Sequence, residues 1–519
     1  MKKLFIYILS VVSALLLLSC GDFLEPRSKS EFVPKDAVSL NELLLGEAYP
    51  INSGQYLNCF LNVLDDDVEA TGFHEVQVGQ NEEMWWAAYT WQSNLYEIFH
   101  TTGPSEGIYN LYKNYYSLIL GTNAVLDYLP TVEDRDQDMI NQVAAQAYAL
   151  RGFYYFNLVN IFGQPYYYNK ESLGVPLKLT SGIELDTPSR NTVAEVYEQV
   201  LNDLNNAEQH YNLLPVELQW RKNYRVSLPM VELMLSRVYL YMENWTKAAE
   251  YAERVMNNKN FNMIDLNSVP LVNEEGNRSY RNYHSYDSPE VIWPYSSIND
   301  VTFLVARTGA DDKVYFKASD ALMETFKETP EDLRVDCYLV REEYPSVVDD
   351  ELVYHPQAFG KIAIHTNGYA PGGSNNFGRS LRVSEAFLNY SEAKAMLYKE
   401  GVDGSALSQA LNAVNRLRKN RFPNDSEDFT INISDPEELI EFVKRERRRE
   451  LCFEDHRWFD LRRWGMKPFT HVWYPNESTI SEFTLTQDDL GFTIPLPPEA
   501  LNMNPNLEQN PLAPAPRVN

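Results

Sequence analysis

The sequence predicts a mainly α protein, an α-solenoid of helix hairpins interrupted by large loop-rich insertions. Helical apolar periodicity recurs at about 108–129, 137–161, 191–211, 227–257, 383–400, 405–420 and 436–463. Two of these regions follow one hairpin plan. The intervals between the periodic stretches carry turn residues and little sustained period.

The chain opens with Met1-Lys2-Lys3 and an apolar run to Leu18, then the tetrad Leu17-Leu18-Ser19-Cys20. A basic start, a short apolar stretch and a small residue before cysteine predict a lipoprotein leader, with 1–19 removed and Cys20 lipidated. Lipid there would anchor the body to a membrane. Residues 20–35 carry Pro26 and Pro34 and read as an extended tether. The remainder, 36–519, is expected to be one domain, with scaffold at about 108–257 and 383–463 and insertions at about 51–107 and 258–382.

In the first hairpin, Leu233, Arg237 and Tyr241 step along one helix, Glu243-Asn244 turns, and Trp245, Ala248, Ala249 and Ala252 open the next. In the second, Ala386, Tyr390, Ala393 and Leu397 lead to Glu400-Gly401, and Ala406, Ala410 and Ala413 follow. Small residues at such intervals let helices approach closely, and the arrangement resembles a degenerate tetratricopeptide pair.

The net charge of −28 argues against nucleic acid as a partner, because phosphates would be repelled. Besides Cys20, the cysteines are Cys59, Cys337 and Cys452, scattered and odd in number, so no disulfide framework is expected. No His-Glu-x-x-His pattern and no phosphate-cradling glycine loop ending in Lys-Ser or Lys-Thr occurs, and Gly372-Gly373-Ser374-Asn375-Asn376 lacks the final glycine of a nucleophile elbow. No catalytic residue, metal ligand or cofactor is therefore assigned, although paired carboxylates of a glycosidase are defined by spatial separation and leave no sequence signature.

The first insertion concentrates rings and polar groups: Asp65-Asp66-Asp67, then Trp85, Trp86, Tyr89, Trp91, Asn94 and Tyr96. Sugar recognition needs this mixture, since flat rings cover pyranose C–H faces while amides and carboxylates take the hydroxyls. Asp67, Trp85, Trp86, Trp91, Asn94 and Tyr96 are the ligand-binding candidates, with Tyr295 added where a strand-like Glu290–Trp293 run gives way to Ser296-Ser297. Trp220, with Arg221 and Tyr224, is a secondary candidate. The charged run from Lys444 to Arg463 interleaves basic and acidic residues, as in Glu446 with Arg449 and Arg447 with Glu450, and reads as a helix supported by its own ion pairs. Arg151 reads likewise as a paired scaffold residue.

Six segments in order resemble the SusD/RagB family of outer-membrane nutrient-binding lipoproteins: the start Cys20-Gly21-Asp22-Phe23-Leu24; Tyr112 to Leu126; Ala145 to Leu158 with Phe162-Gly163; Pro188-Ser189-Arg190 before Thr192; Glu446 to Trp464; and Pro495 to Pro511. The resemblance implies a non-catalytic, lipid-anchored outer-membrane protein facing the cell exterior. Such a protein would capture an oligosaccharide or other nutrient and pass it to a TonB-dependent, SusC-like barrel. The opposed readings are a surface glycoside hydrolase and a structural lid of the barrel with little ligand affinity of its own.

Overall fold

The structure, a computed structural model, describes residues 33–50, 57–72, 82–102, 106–133, 136–183, 187–272, 283–284, 287–297, 307–308, 313–314, 316–339, 341–348, 351–358, 377–476 and 478–517. Cys20, the leader and most of the tether lie outside these residues, as does the Gly-rich run up to Asn376.

Helices dominate, and their packing follows the predicted solenoid. Leu111–Tyr128 and Gln137–Phe162 form the first pair, and the second of these packs on Val193–Asn212. Leu228–Tyr241 with Trp245–Met256 comes next, then Val383–Lys399 with Ala406–Arg418, then Pro436–Leu451. Trp245–Met256 lies directly against Val383–Lys399, so the long insertion leaves the solenoid and re-enters it at neighbouring positions. Among the described residues, no helix is long and apolar enough to cross a membrane.

Helix starts and stops have local causes. Asp136 accepts from the Met139 amide, and Thr192 and Glu195 form a reciprocal capping box. In the first hairpin the turn takes Glu243 to φ 58°, and Asn244 caps the following helix. Gly401 takes φ 69° at the equivalent turn of the second, a conformation that favours glycine. The two hairpins also share a polar link: Ser236 Oγ donates to the Ala248 carbonyl at 2.9 Å, and Ser391 Oγ to the Ala410 carbonyl at 3.0 Å. Gly121 fixes another close approach, because a Cβ there would lie 2.1 Å from the Glu47 carbonyl oxygen.

One apolar core runs from Leu40 to Leu507 and absorbs most of the tyrosines and phenylalanines of the solenoid. Arg151, buried as expected of a scaffold residue, donates Nε and Nη2 to Asp203 at 2.9 and 2.6 Å. Arg190 ties the C-terminal segment down by donating to the Gly174, Phe162 and Glu508 carbonyls.

The secondary structure departs from expectation in three places. The first insertion is more regular than its weak period implies, with helices at Glu82–Tyr89 and Leu95–Thr102. The strand Val291–Ser297 runs past Tyr295 because it pairs antiparallel with Phe377–Arg382, so Tyr295 lies within a strand. The charged run breaks into Pro436–Leu451 and Arg457–Arg463, with Phe453 and Asp455 at φ 61° and 62°. Burial of the intervening acids accounts for the break: Glu454 accepts from Arg382, and Asp455 from Arg379, Asn58 and Asn62.

The ion pairing of that run also differs in part from the sequence reading. Glu446 and Arg449 do pair, at 2.9 Å. Arg447 instead reaches Asp460 at 2.8 Å, while Glu450 takes Arg421, Arg382 and Arg334. Burial alone would raise the Glu450 carboxyl, but these guanidiniums overcome it and hold it well below the usual carboxylate range. The network joins the long insertion, through Glu290 and Asp332, to the last solenoid helix.

Candidate functional site

The nominated aromatics do not gather at one place; Trp91, with Tyr89, meets the antiparallel hairpin Phe469–Asn476/Thr479–Leu485. His471 of that hairpin lies between two rings. Tyr89 stacks on it at 3.9 Å with planes 8° apart, and Trp91 at 4.3 Å with planes 21° apart. Its nitrogens meet the carbonyls of Tyr89 at 2.7 Å and Asp65 at 3.0 Å. Burial pushes the imidazole down to about 4, against the pull of those carbonyls and of Asp66.

Trp91 completes this stack from a strained position, at φ 52°, and donates its indole N–H to the Leu64 carbonyl at 2.9 Å. With 3% of its surface exposed it is a core residue. Trp85 is buried and meets the edge of Phe316. Tyr96 is buried among Phe60, Phe99 and Tyr109. Tyr295 is buried too, stacked on Trp293 at 5.0 Å and met edge-on by Phe153.

Asp67 is buried as well, and its Oδ1 accepts from Arg448 Nε at 2.7 Å. Beside it, Asp66 accepts from Arg457 Nε and Nη2 at 2.6 and 2.9 Å. The aspartate tract is therefore an anchor between the first insertion and the last helices. Burial would raise the Asp66 carboxyl, and Arg448 and Arg457 hold it far below its ordinary range instead.

Trp86 and Asn94 are half-buried and keep part of their surface in solvent. Successive residues of a helix project about 100° apart, as 3.6 residues per turn requires, and that rotation separates Trp86 from buried Trp85. Asn94 precedes the Leu95–Thr102 helix, and its carbonyl accepts from the Glu97 and Ile98 amides. Trp220 is half-buried against Phe261.

A groove of about 690 Å³ lies elsewhere, along the Leu111–Tyr128 helix. Tyr112 and Tyr116 line it with ring centres 4.6 Å apart, and Asn110, Lys178, Met503 and Asn504 stand around them. The Tyr116 hydroxyl donates to the Pro176 carbonyl at 2.6 Å, which fixes one wall. This surface escaped the sequence reading. Its signal was Tyr112, Tyr116 and Leu120 at one-turn spacing, a stripe indistinguishable from a core stripe until Leu120 is seen 48% exposed. The volume falls within the roughly 300–1,000 Å³ of small-molecule sites. Among the described residues, no group of three or more His, Cys, Asp or Glu is placed to hold a metal ion.

Comparison with known proteins places these features in a family context. Residues 22–240 match a family model described as "Starch-binding associating with outer membrane", and residues 354–512 match the model of the SusD family. SusD-like protein P2 of Formosa agariphila is 28% identical over 79% of this chain and 81% of its own. SusD-like protein P38 of the same organism is 25% identical over 79% and 80%. A crystal structure of a putative sugar binding protein from Bacteroides vulgatus superposes with TM-score 0.66 at 22% identity, covering 93% of this chain and 99% of that one. A SusD superfamily protein from Bacteroides thetaiotaomicron gives 0.64 at 21% identity, covering 92% and 98%. These two likenesses establish the fold.

Proposed function

The chain belongs to the SusD/RagB family, and from that premise we propose that it is a non-catalytic glycan-binding lipoprotein of the outer membrane. Cys20 carries the lipid, the body faces the cell exterior, and captured oligosaccharide passes to a TonB-dependent, SusC-like barrel. The observation that carries the binding role is the match of two SusD-type family models, in order, to the N-terminal and C-terminal parts of the chain.

Two surfaces supply the required chemistry. Trp86 offers a half-buried ring packed on the core with part of its surface open, and half-buried Asn94 lies in the same insertion. The groove offers a tyrosine pair beside Asn110 and Asn504, whose amides are themselves fixed by hydrogen bonds within the protein. Recognition at either surface needs ring faces against sugar C–H groups and amides toward hydroxyls, with no bond broken.

Affinity electrophoresis and calorimetry against a panel of neutral oligosaccharides, with product analysis of the same mixtures, test the proposal. Retention without new products is expected. Trp86→Ala and Tyr112→Ala, made separately, assign the surface by which of them abolishes retention. Turnover without stable binding would establish the glycoside hydrolase reading instead, and nutrient uptake that needs the protein but neither side chain would establish the lid.

A further inference from the structure

The Pro436–Leu451 helix has two charged faces with different partners. Glu446, Arg447, Arg449 and Glu450 are buried in the ion network. Glu441, Lys444, Arg445 and Arg448 lie at one-turn spacing on another stripe and line a cavity of about 220 Å³. Arg457 and Lys467 complete its cationic lining, and the Trp464 indole forms part of its wall. Five cationic side chains thus converge in a protein of net charge −28, and Glu441 is the one carboxylate among the residues lining the cavity.

The cations are held unequally. Arg448 and Arg457 are fixed by Asp66 and Asp67 behind the cavity, yet the Nη1 of each has no hydrogen-bond partner among the described residues. Lys444 pairs with Glu441 at 2.8 Å, and Arg445 with Glu328 at 3.1 Å, through side chains that are partly exposed. Lys467 is exposed, with no ion pair among the described residues. Glu441 reports the local field: partial burial works to raise its carboxyl, but Lys444, Lys467 and Arg445 bring it below its ordinary value. An incoming anion would meet the same cations.

We propose that this cavity binds an oxyanion substituent of a sugar, a uronate carboxylate or a sulfate ester, at the cations that line it, one of which, Lys444, lies over the Trp464 ring at 5.3 Å. The proposal rests on the glycan-binding reading and adds an acidic substrate class to it. The cavity is smaller than the roughly 300–1,000 Å³ that encloses a whole drug-sized ligand, which fits one saccharide unit at a chain end or branch. Guanidinium forks match the planar carboxylate and the sulfate oxygens, and the lysines add charge without fixed geometry.

The test compares oligogalacturonate, a sulfated chondroitin fragment and a neutral maltooligosaccharide by calorimetry on the full chain at low and high salt. Lys444→Gln, Arg445→Gln and Lys467→Gln are combined in one variant, because Arg448 and Arg457 also hold the aspartate anchor. At least one anionic probe is expected to bind, more weakly at high salt, and the triple variant is expected to lower its affinity at least tenfold while neutral-glycan retention and the melting temperature are unchanged. Failure of both anionic probes to bind would overturn the proposal, and so would binding unaffected by the triple variant. Displacement by inorganic sulfate at the saccharide's own concentration would overturn it as a sugar site. Neutral-glycan binding that persists through any of these results leaves the glycan-binding reading standing separately.

Discussion

Arg237 donates Nε and Nη2 to the carboxylate of Glu385 at 2.6 and 2.5 Å, joining the two hairpins that the long insertion separates in sequence. Both side chains are buried. Removing one partner of such a pair leaves a buried charge without compensation, which costs about 3–5 kcal/mol. Arg237→Ala is therefore expected to lose about that much in urea unfolding, whereas replacing both residues with apolar ones of similar volume should cost far less. A single-variant loss below about 1 kcal/mol, the scale of an exposed pair, would show that the hairpins are not coupled through this contact.

Gly121 gives a steric prediction. An added Cβ would collide with the Glu47 backbone, so Gly121→Ala should cost about 1–3 kcal/mol by overpacking. Gly182→Ala, where a Cβ would meet nothing within 4 Å, serves as the control and should fall within about 0.5 kcal/mol of the parent. Thermal unfolding of the two variants side by side checks the difference.

Glu392 makes stability depend on acid. Burial works to raise its carboxyl, but bidentate Arg463, with Arg447 and the Trp464 indole, brings it down to about 2 from the ordinary 4.5. A carboxyl depressed by folding contributes stability that is complete above pH 4.5 and lost as pH falls toward 2. At about 1.4 kcal/mol per unit, the contribution is of the order of 3 kcal/mol. Glu392→Gln should be less stable than the parent at pH 7 and approach it near pH 2, as read by chemical unfolding at each pH. A gap of constant size across that range would refute the assignment.

The two tryptophans of opposite placement should separate stability from binding. Trp91→Ala removes a ring from the His471 stack and the hydrogen bond to Leu64, and about 3–5 kcal/mol of stability should go with it. Trp86→Ala, at a half-buried ring, should cost less than Trp91→Ala, and loss of glycan retention by the folded variant then reports on the ligand surface.

The solenoid was legible because its information is local. Apolar period, alanines at hairpin contacts, and Glu243-Asn244 and Glu400-Gly401 at the turns each act over one or two helical turns. The candidate site was less legible because exposure depends on partners remote in sequence. Trp91 looks available until His471 and Phe469 cover it, and Asp67 until Arg448 reaches it. His471 itself is a lone histidine in a strand and gave no signal. The cationic cavity was hidden differently: its basic residues share a helix with the buried network, and only the fold separates the two faces.

Capture of an oligosaccharide without chemistry is the central claim, and calorimetric titration of the purified chain with a glycan panel, followed by chromatography of the same samples, tests it most directly. The account predicts saturable binding of at least one oligosaccharide recovered intact, with retention abolished by Trp86→Ala or by Tyr112→Ala. Shortened products without a stable complex, or no heat from any glycan in the panel, would contradict it.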